Sequence, residues 1–334
     1  MRIAVFAVTK HGRETAQRIT EALGDAKLSN FSPRLVEEAF RSYDALVFVM
    51  ALGIVVRTIS GLISDKRSDP AVVAVDEKGR HVISVLSGHR GANELTREIA
   101  AHLGSDPVIT TATDVQGKPS VEDIARMYKL VIDEESQLKE VNAAIVNDKE
   151  VGVHIDLDSN FNLSLHLSGN MSICDSPNDF DALVIITNKI YGETKQPRAV
   201  LRPRNLVVGI GAKKGISSKT VLDAIAQSFE TAELSMGSIA ALATADFKAG
   251  ERGIVKAAHA LAVPLLPVSS ELIRENEGLF KGSREVKAKV GVSAVCEPSA
   301  VLAGKGAKLI QGKTKFAGVT IAIAEEDYQW ERSS

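Results

Sequence analysis

The stretch "SVLSGHRGANELTREIA", Ser84 to Ala100, decides how this chain is read. An apolar run ends at Leu86, a short polar, glycine-flanked passage follows, and a helical pattern starts without a pause. Leu95, Ile99 and Leu103 recur at helical spacing, and Gly104 supplies the stop. A strand that turns directly into a helix is the repeating unit of an α/β sheet. The same junction offers backbone N–H groups and a helix dipole to an anionic ligand. A plain tight turn, with His89 exposed at the helix start, accounts for the glycines equally well.

The pattern extends in both directions. "IAVFAVT" (Ile3–Thr9) and "DALVFVM" (Asp44–Met50) are compact apolar runs that predict buried strands. "AVVAVD" and "HVISVL" flank "EKGR", which predicts a hairpin with Gly79 in its turn. "PVITTA" (Pro107–Ala112) predicts a further strand. Past Gln116 the alternation changes. Ser120–Leu130 and Glu134–Val146 read as helices, "VGVHIDL" and "NLSLHL" as a small β-hairpin about "DSNF", and Tyr191–Asn205 as a linker. From Asn205 the alternation resumes with "NLVVGIG", a helix over Ser217–Phe229 capped by Ser217 or Ser218, and the strands "SIAALAT", "LLPVS" and "GVTIAIA". The expected fold is α/β: two three-layer α/β/α domains, 1–117 and 204–326, joined by a variable middle region and linker, 118–203, with a tail over 327–334.

Composition restricts the partners. The chain has 334 residues, more than one typical core holds, with 45% hydrophobic and 25% charged residues. Aromatic residues make up 4% and the net charge is -2, which argues against nucleic acid. From Arg204 onward there are 17 Lys/Arg against 14 Asp/Glu, and before it 23 against 28. A mildly basic C-terminal half suits a small, multiply anionic ligand better than a nucleic acid. Cys174 and Cys296 stand far apart, without metal-ligand or disulfide spacing. No apolar run reaches the ~18 residues of a membrane span, and the opening "MRIAVFAVTKHG" reads as a strand rather than a signal peptide, so a cytoplasmic protein is expected.

Two blocks of motifs resemble a known family. "GIVVR", "DKRSDPAVVAVDEKG", "SVLSGHRGANELTREIA" and "PVITTATD" are similar to the N-terminal domain of the cobalamin biosynthesis protein G family, the cobalt-precorrin-5A hydrolases. "VVGIGAKKGIS", "IAALATADFKAGERGIVKAA", "GVSAVCEPSAVLAG" and "GVTIAIA" are similar to its C-terminal domain. The resemblance implies a cobalt-bearing corrin precursor as substrate, with a δ-lactone and many acetate and propionate side chains. It implies hydrolytic opening of that lactone in the anaerobic route to vitamin B12, with release of acetaldehyde. Cobalt then belongs to the substrate, and neither an organic cofactor nor a protein metal site is expected. The partner is the tetrapyrrole itself, with no membrane and no nucleic acid. A homodimer and transient contact with other corrin-pathway enzymes both stay open.

The chemistry asks for a proton-transfer group, oxyanion donors and carboxylate grips. His89, with an ordinary pKa of ~6.5, is the expected general acid/base. Asp65, Asp69 and Asp76 are alternative bases, although Asp76 suits the hairpin turn and Asp69, before Pro70, suits the start of a turn. Backbone N–H groups around Gly88–Gly91 are the expected oxyanion donors, and Ser87, Gly88, Arg90, Gly91 and Asn93 are expected to contact the substrate. Arg57 and Lys66 are expected to grip carboxylates. In the C-terminal half, the "GIGAKKG" loop offers Gly211, Lys213 and Lys214, and Lys248, Glu251, Glu297 and Lys313 fall at matching family positions. A solvated surface charge is the commoner fate of any one of these cations, and a helix cap is the plainer account of Glu297. Two other functions are weighed beside the hydrolase. One is a non-catalytic corrin carrier. The other is a Rossmann-type NADP-dependent oxidoreductase resting on "GIGAKKG", against which stand its GxGxxxG spacing and the lack of a clear acid ending a second strand at the proper distance.

Overall fold

Ile3–Ala7 is apolar at every position and all five side chains are buried, as expected of a strand covered on both faces. The computed structural model describes residues 1–65, 68–157, 167, 169–176, 179–280 and 294–328. The chain divides into two compact units, Met1–Lys118 and Pro119–Ser334.

The first unit runs β1 (Ile3–Ala7), α1 (Lys10–Leu23), β2 (Ala26–Asn30), α2 (Pro33–Ser42), β3 (Ala45–Val49), α3 (Leu52–Ile59), β4 (Ala71–Val75), β5 (His81–Leu86), α4 (Ala92–Leu103), β6 (Asp106–Val108) and α5 (Ala112–Val115). The strands form one sheet in the order β2-β1-β3-β4-β5-β6. One face packs Ile19 of α1 with Leu95 and Ile99 of α4. The other packs Val36 and Phe40 of α2 with Val55 and Ile59 of α3. Two glycines do what the sequence asks. Gly79 takes φ 63° in the β4–β5 hairpin, and Gly104 ends α4 at φ 70°.

The sheet departs from parallel pairing at the expected hairpin. β1 to β4 are mutually parallel, but β5 is antiparallel to β4, and β6 runs parallel to β5. Leu86 therefore pairs with Val72, at the start of β4. The exit of β5 shares an end of the sheet with the entrances of β1, β3 and β4, not with their exits.

The second unit holds two sheets. α6 (Val121–Met127), β7 (Val131–Ile132), α7 (Leu138–Val146), β8 (Val151–Asp156), β9 (Met171–Cys174), β10 (Ala182–Thr187) and β11 (Arg198–Arg202) build a sheet of order β7-β11-β10-β8-β9. The middle region is thus a sheet with helices packed on it, more than the expected hairpin. The hairpin's second run, Asn162–Leu167, and its turn lie almost wholly outside the described residues; β8 pairs with β9 in parallel. The linker expectation is also corrected. Arg198–Arg202 is a strand with Ala199, Val200 and Leu201 buried, framed by Pro197 and Pro203.

The third sheet comprises β12 (Leu206–Ala212), α8 (Ser218–Thr231), β13 (Ile239–Ala245), α9 (Arg252–Ala260), β14 (Leu265–Val268), α10 (Ser270–Glu275), α11 (Cys296–Ala303), β15 (Lys308–Phe316) and β16 (Val319–Glu325), in strand order β14-β13-β12-β16-β15. Helices α8 and α9 bury Ile225, Phe229 and Ile254 on one face. Helix α11 lays Cys296 and Ala300 on Ala322 and Ala324 of the other. Among the described residues no helix is long and apolar enough to cross a membrane.

Candidate functional site

In the first unit, three motif stretches meet at one end of the sheet. Ser87 adopts a left-handed conformation, φ 58°, and opens a 3-10 turn over Gly88–Arg90. Its hydroxyl donates to the Asp69 carbonyl at 3.1 Å, which ties the "DKRSD" loop to the turn. Below the turn lies Asn93, 2% exposed. Its carboxamide accepts from Ser84 Oγ at 2.6 Å and donates to Thr111 Oγ1 at 3.1 Å and Asp114 Oδ2 at 2.8 Å, which brings in "TTATD". A Cβ on Gly88 would stand 2.8 Å from Asn93 Oδ1, so glycine is what lets the carboxamide sit there. All these Asn93 partners are internal, and its job in this arrangement is to support the turn.

The turn spends most of its amides on itself. Arg90 N–H donates to Ser87 O at 2.9 Å, Gly91 N–H to Gly88 O at 3.2 Å and Ala92 N–H to Ser87 O at 3.4 Å. The donors expected for an oxyanion narrow to the amides of Gly88 and His89. His89 occupies the middle of the turn; its side chain, like Lys66 as a whole, lies outside the described residues. Arg90 is exposed at the turn's end. Arg57, in the last turn of α3, is exposed, with its guanidinium lying back beside Gly53.

The three candidate aspartates separate clearly. Asp65 is exposed at the head of the loop. Asp69 is 4% exposed and accepts from Ser64 N–H at 2.9 Å, which closes that loop. Asp76 stands at the far end of β4 and accepts from the N–H groups of Lys78, Arg80 and His81. Burial pushes its carboxyl up, but those amides together hold it below the usual range.

The second unit contains a cavity of about 410 Å³ lined by Lys213, Lys248, Lys313, Lys315, Phe247 and Phe316 above a floor of Cys296, Val319 and Thr320. Among the described residues lining it there is no carboxylate. Burial pushes the Cys296 thiol up, so the floor stays uncharged. Ammonium groups around an apolar floor with aromatic walls fit an amphiphilic ligand with carboxylates at its rim. Three of the lysines were expected from the sequence. Lys315 was not, although "KTK" on a strand places Lys313 and Lys315 on one face. Lys214 lies on the loop but is not among the cavity's residues.

The glycines of "GIGAKKG" answer to protein neighbours. A Cβ on Gly209 would fall 1.9 Å from the Cys296 carbonyl oxygen, and one on Gly211 would fall 2.5 Å from Thr320 Oγ1. Gly215 takes φ 78°, and its N–H donates to Glu251 Oε1 at 2.9 Å. An acid, Asp246, does directly follow the second strand of this domain, β13, but it stands 31 residues beyond Gly215 rather than at the ~20-residue distance of a dinucleotide fold. Its carboxylate is taken by the Ser270 hydroxyl and N–H and by Phe247 N–H. Those bonds hold it below the usual carboxylate range, the Ser270 hydroxyl contributing most. The loop and this acid are committed within the protein, which removes the observation behind the oxidoreductase reading.

Family models match the chain along nearly its whole length. The cobalamin synthesis G N-terminal family model matches residues 34–114, the cobalamin biosynthesis central region 119–203, and the cobalamin synthesis G C-terminus 206–324. The chain belongs to the cobalamin synthesis G family. Within that family, it is 34% identical over 340 residues to the cobalt-precorrin-5A hydrolase of Salmonella typhimurium, covering 96% of this chain and 97% of the relative. It is 32% identical over 357 residues to the cobalt-precorrin-5A hydrolase of Priestia megaterium, covering 96% and 94%. A crystal structure of a cobalamin biosynthesis protein G homolog from Sulfolobus solfataricus aligns at TM-score 0.43 and 25% identity, over 97% of each chain.

Proposed function

We infer that this family member is a cobalt-precorrin-5A hydrolase of cobalamin synthesis. The observation that carries this is the near end-to-end likeness to hydrolases of that name at 34% and 32% identity. The cavity with its lysines supports it, because the substrate carries acetate and propionate groups around a large apolar ring.

Water adds to the lactone carbonyl and the ring ester bond breaks, leaving a carboxylate and an alkoxide. The alkoxide collapses to acetaldehyde as its carbon–carbon bond to the macrocycle breaks, and the macrocycle takes up a proton to give cobalt-precorrin-5B. The reaction is redox-neutral and as written requires no organic cofactor; cobalt enters with the substrate. His89 is assigned as the group that takes the proton from water and returns one to the ring carbon. Asp65, exposed in the adjoining loop, is the next candidate. The Gly88 and His89 amides are assigned to the developing oxyanion, and Arg57, Lys66 and Arg90 to carboxylates near the turn. Lys213, Lys248, Lys313 and Lys315 are assigned to carboxylates in the cavity.

Incubation with the lactone-bearing cobalt corrin, with acetaldehyde trapped and measured, tests the assignment. Stoichiometric acetaldehyde is expected. Tight binding of the corrin without acetaldehyde would instead make the protein a carrier.

A further inference from the structure

We propose that Glu297 is a positioning residue that fixes the two lysines of β15 toward the cavity. The proposal rests on the reading of that cavity as the polycarboxylate grip. The pairing of β15 with β16 slips twice, between Leu309 and Gln311 and between Gln311 and Thr314. Lys313 lies in the second slip, so the ladder does not determine where its N–H goes. A backbone N–H in a half-buried strand needs an acceptor. Glu297 supplies it: Oε1 accepts from Lys313 N–H at 2.9 Å.

The carboxylate is itself held in place. Glu297 is 8% exposed in the first turn of α11. That turn sits directly on β12, where the Cys296 carbonyl occupies the space that a Cβ of Gly209 would fill. Gly312 passes over the carboxylate, with room for a Cβ only 3.4 Å from Oε1. On the other side of the slip, the Gln311 amide donates to Ser228 Oγ at 2.8 Å and Thr314 Oγ1 at 3.0 Å. The irregular step is therefore pinned from both sides, and Lys313 and Lys315 leave it on the cavity face. Glu297 is not among the residues lining the cavity. It therefore acts through Lys313 rather than on the ligand, which revises the substrate contact expected from the sequence.

The test compares three substitutions in the full chain, using cobyrinic acid, a cobalt corrin with free carboxylates, as the binding probe. Glu297→Ala is expected to raise its Kd about tenfold, in line with the loss of a charge-assisted hydrogen bond. Glu297→Gln keeps an acceptor oxygen and is expected to recover most of that loss. Glu297→Asp, which withdraws the acceptor by one methylene, is expected to fall between them and guards against a misfolded alanine variant. In a Lys313→Ala background, Glu297→Ala is expected to change Kd less than twofold. Hydrogen exchange at the Lys313 amide, which needs no ligand, is expected to quicken in Glu297→Ala and return in Glu297→Gln. The proposal is overturned if Gln is as damaging as Ala, if the two alanine changes add, if the amide exchanges alike in all variants, or if the unaltered protein does not bind the probe. Acetaldehyde release by the unaltered protein is a separate readout and judges the hydrolase reading alone.

Discussion

The turn at Ser87–Gly91 and the loop at Gly209–Gly215 look alike in sequence, each a glycine-rich passage leaving a strand for a helix. They are built differently. In the first, Gly91 takes φ 113°, the amides fold back on the turn's own carbonyls, and Gly88 makes room for a buried carboxamide. In the second, Gly209 and Gly211 stay extended and make room for a neighbouring helix and strand, while the adjacent lysines line a cavity. Glycine spacing alone does not separate a turn shaped by its own backbone from a loop shaped by its neighbours. Under the proposed function, the first turn is assigned proton transfer and the second region charge recognition.

The largest expected effect tests that division directly. His89→Ala should slow single-turnover acetaldehyde release by about 10²–10⁴-fold while corrin affinity stays close to that of the parent. If only affinity falls, the turn is a grip and Asp65 becomes the base to examine.

A second contrast concerns the glycines. Gly209→Ala drives a Cβ into a backbone carbonyl and should cost about 1–3 kcal/mol or more in urea unfolding. Gly88→Ala meets only the end of a side chain and should cost less. Equal costs would erase the distinction between the two loops.

Charge recognition should be visible but smaller. Lys315→Ala is expected to weaken corrin binding by about tenfold or less, with the loss shrinking as salt rises. Lys214→Ala, outside the cavity's lining, should leave affinity unchanged within about twofold. An effect of Lys214 equal to that of Lys315 would mean that the whole loop, not the cavity, attracts the ligand.

The smallest expected effect is at the far end of β4. The Asp76 carboxyl is held below its ordinary value of 3.8, so its contribution to stability is complete above that value and is lost as pH falls through the lower folded value. Asp76→Asn should therefore lower the urea midpoint near neutrality, and the difference from the parent should shrink toward about pH 2. A difference that is constant with pH would mean the amides pay no heed to the charge.

The core strands were readable because burial on both faces demands unbroken apolar runs, as in Ile3–Ala7, Ala45–Val49 and Ala71–Val75. Some strands at or near a sheet edge were not. β2 ("AKLSN") and β15 ("KLIQGKTKF") carry no such run, and β11 hid its buried Ala199, Val200 and Leu201 between two prolines. The antiparallel run of β5 followed from the hairpin read at "EKGR", but the order of the strands in the sheet depends on non-local pairing, which periodicity does not encode. At the site, the lysine positions were legible from motif resemblance. The inward use of Asn93 and Glu297 was not, because a polar residue at a helix start looks the same whether its partner is a ligand or a distant backbone amide.

β15 is the outermost strand of its sheet among the described residues, and it bears Lys308, Lys313 and Lys315. An unpaired strand is a template on which another chain could add, and lysines are a common deterrent. The lysines assigned to the ligand thus also suit an edge strand that must discourage such pairing. A variant stripped of Lys308, Lys313 and Lys315 together is at risk of aggregating before its affinity is ever measured, and size-exclusion chromatography belongs beside every binding curve taken on this strand.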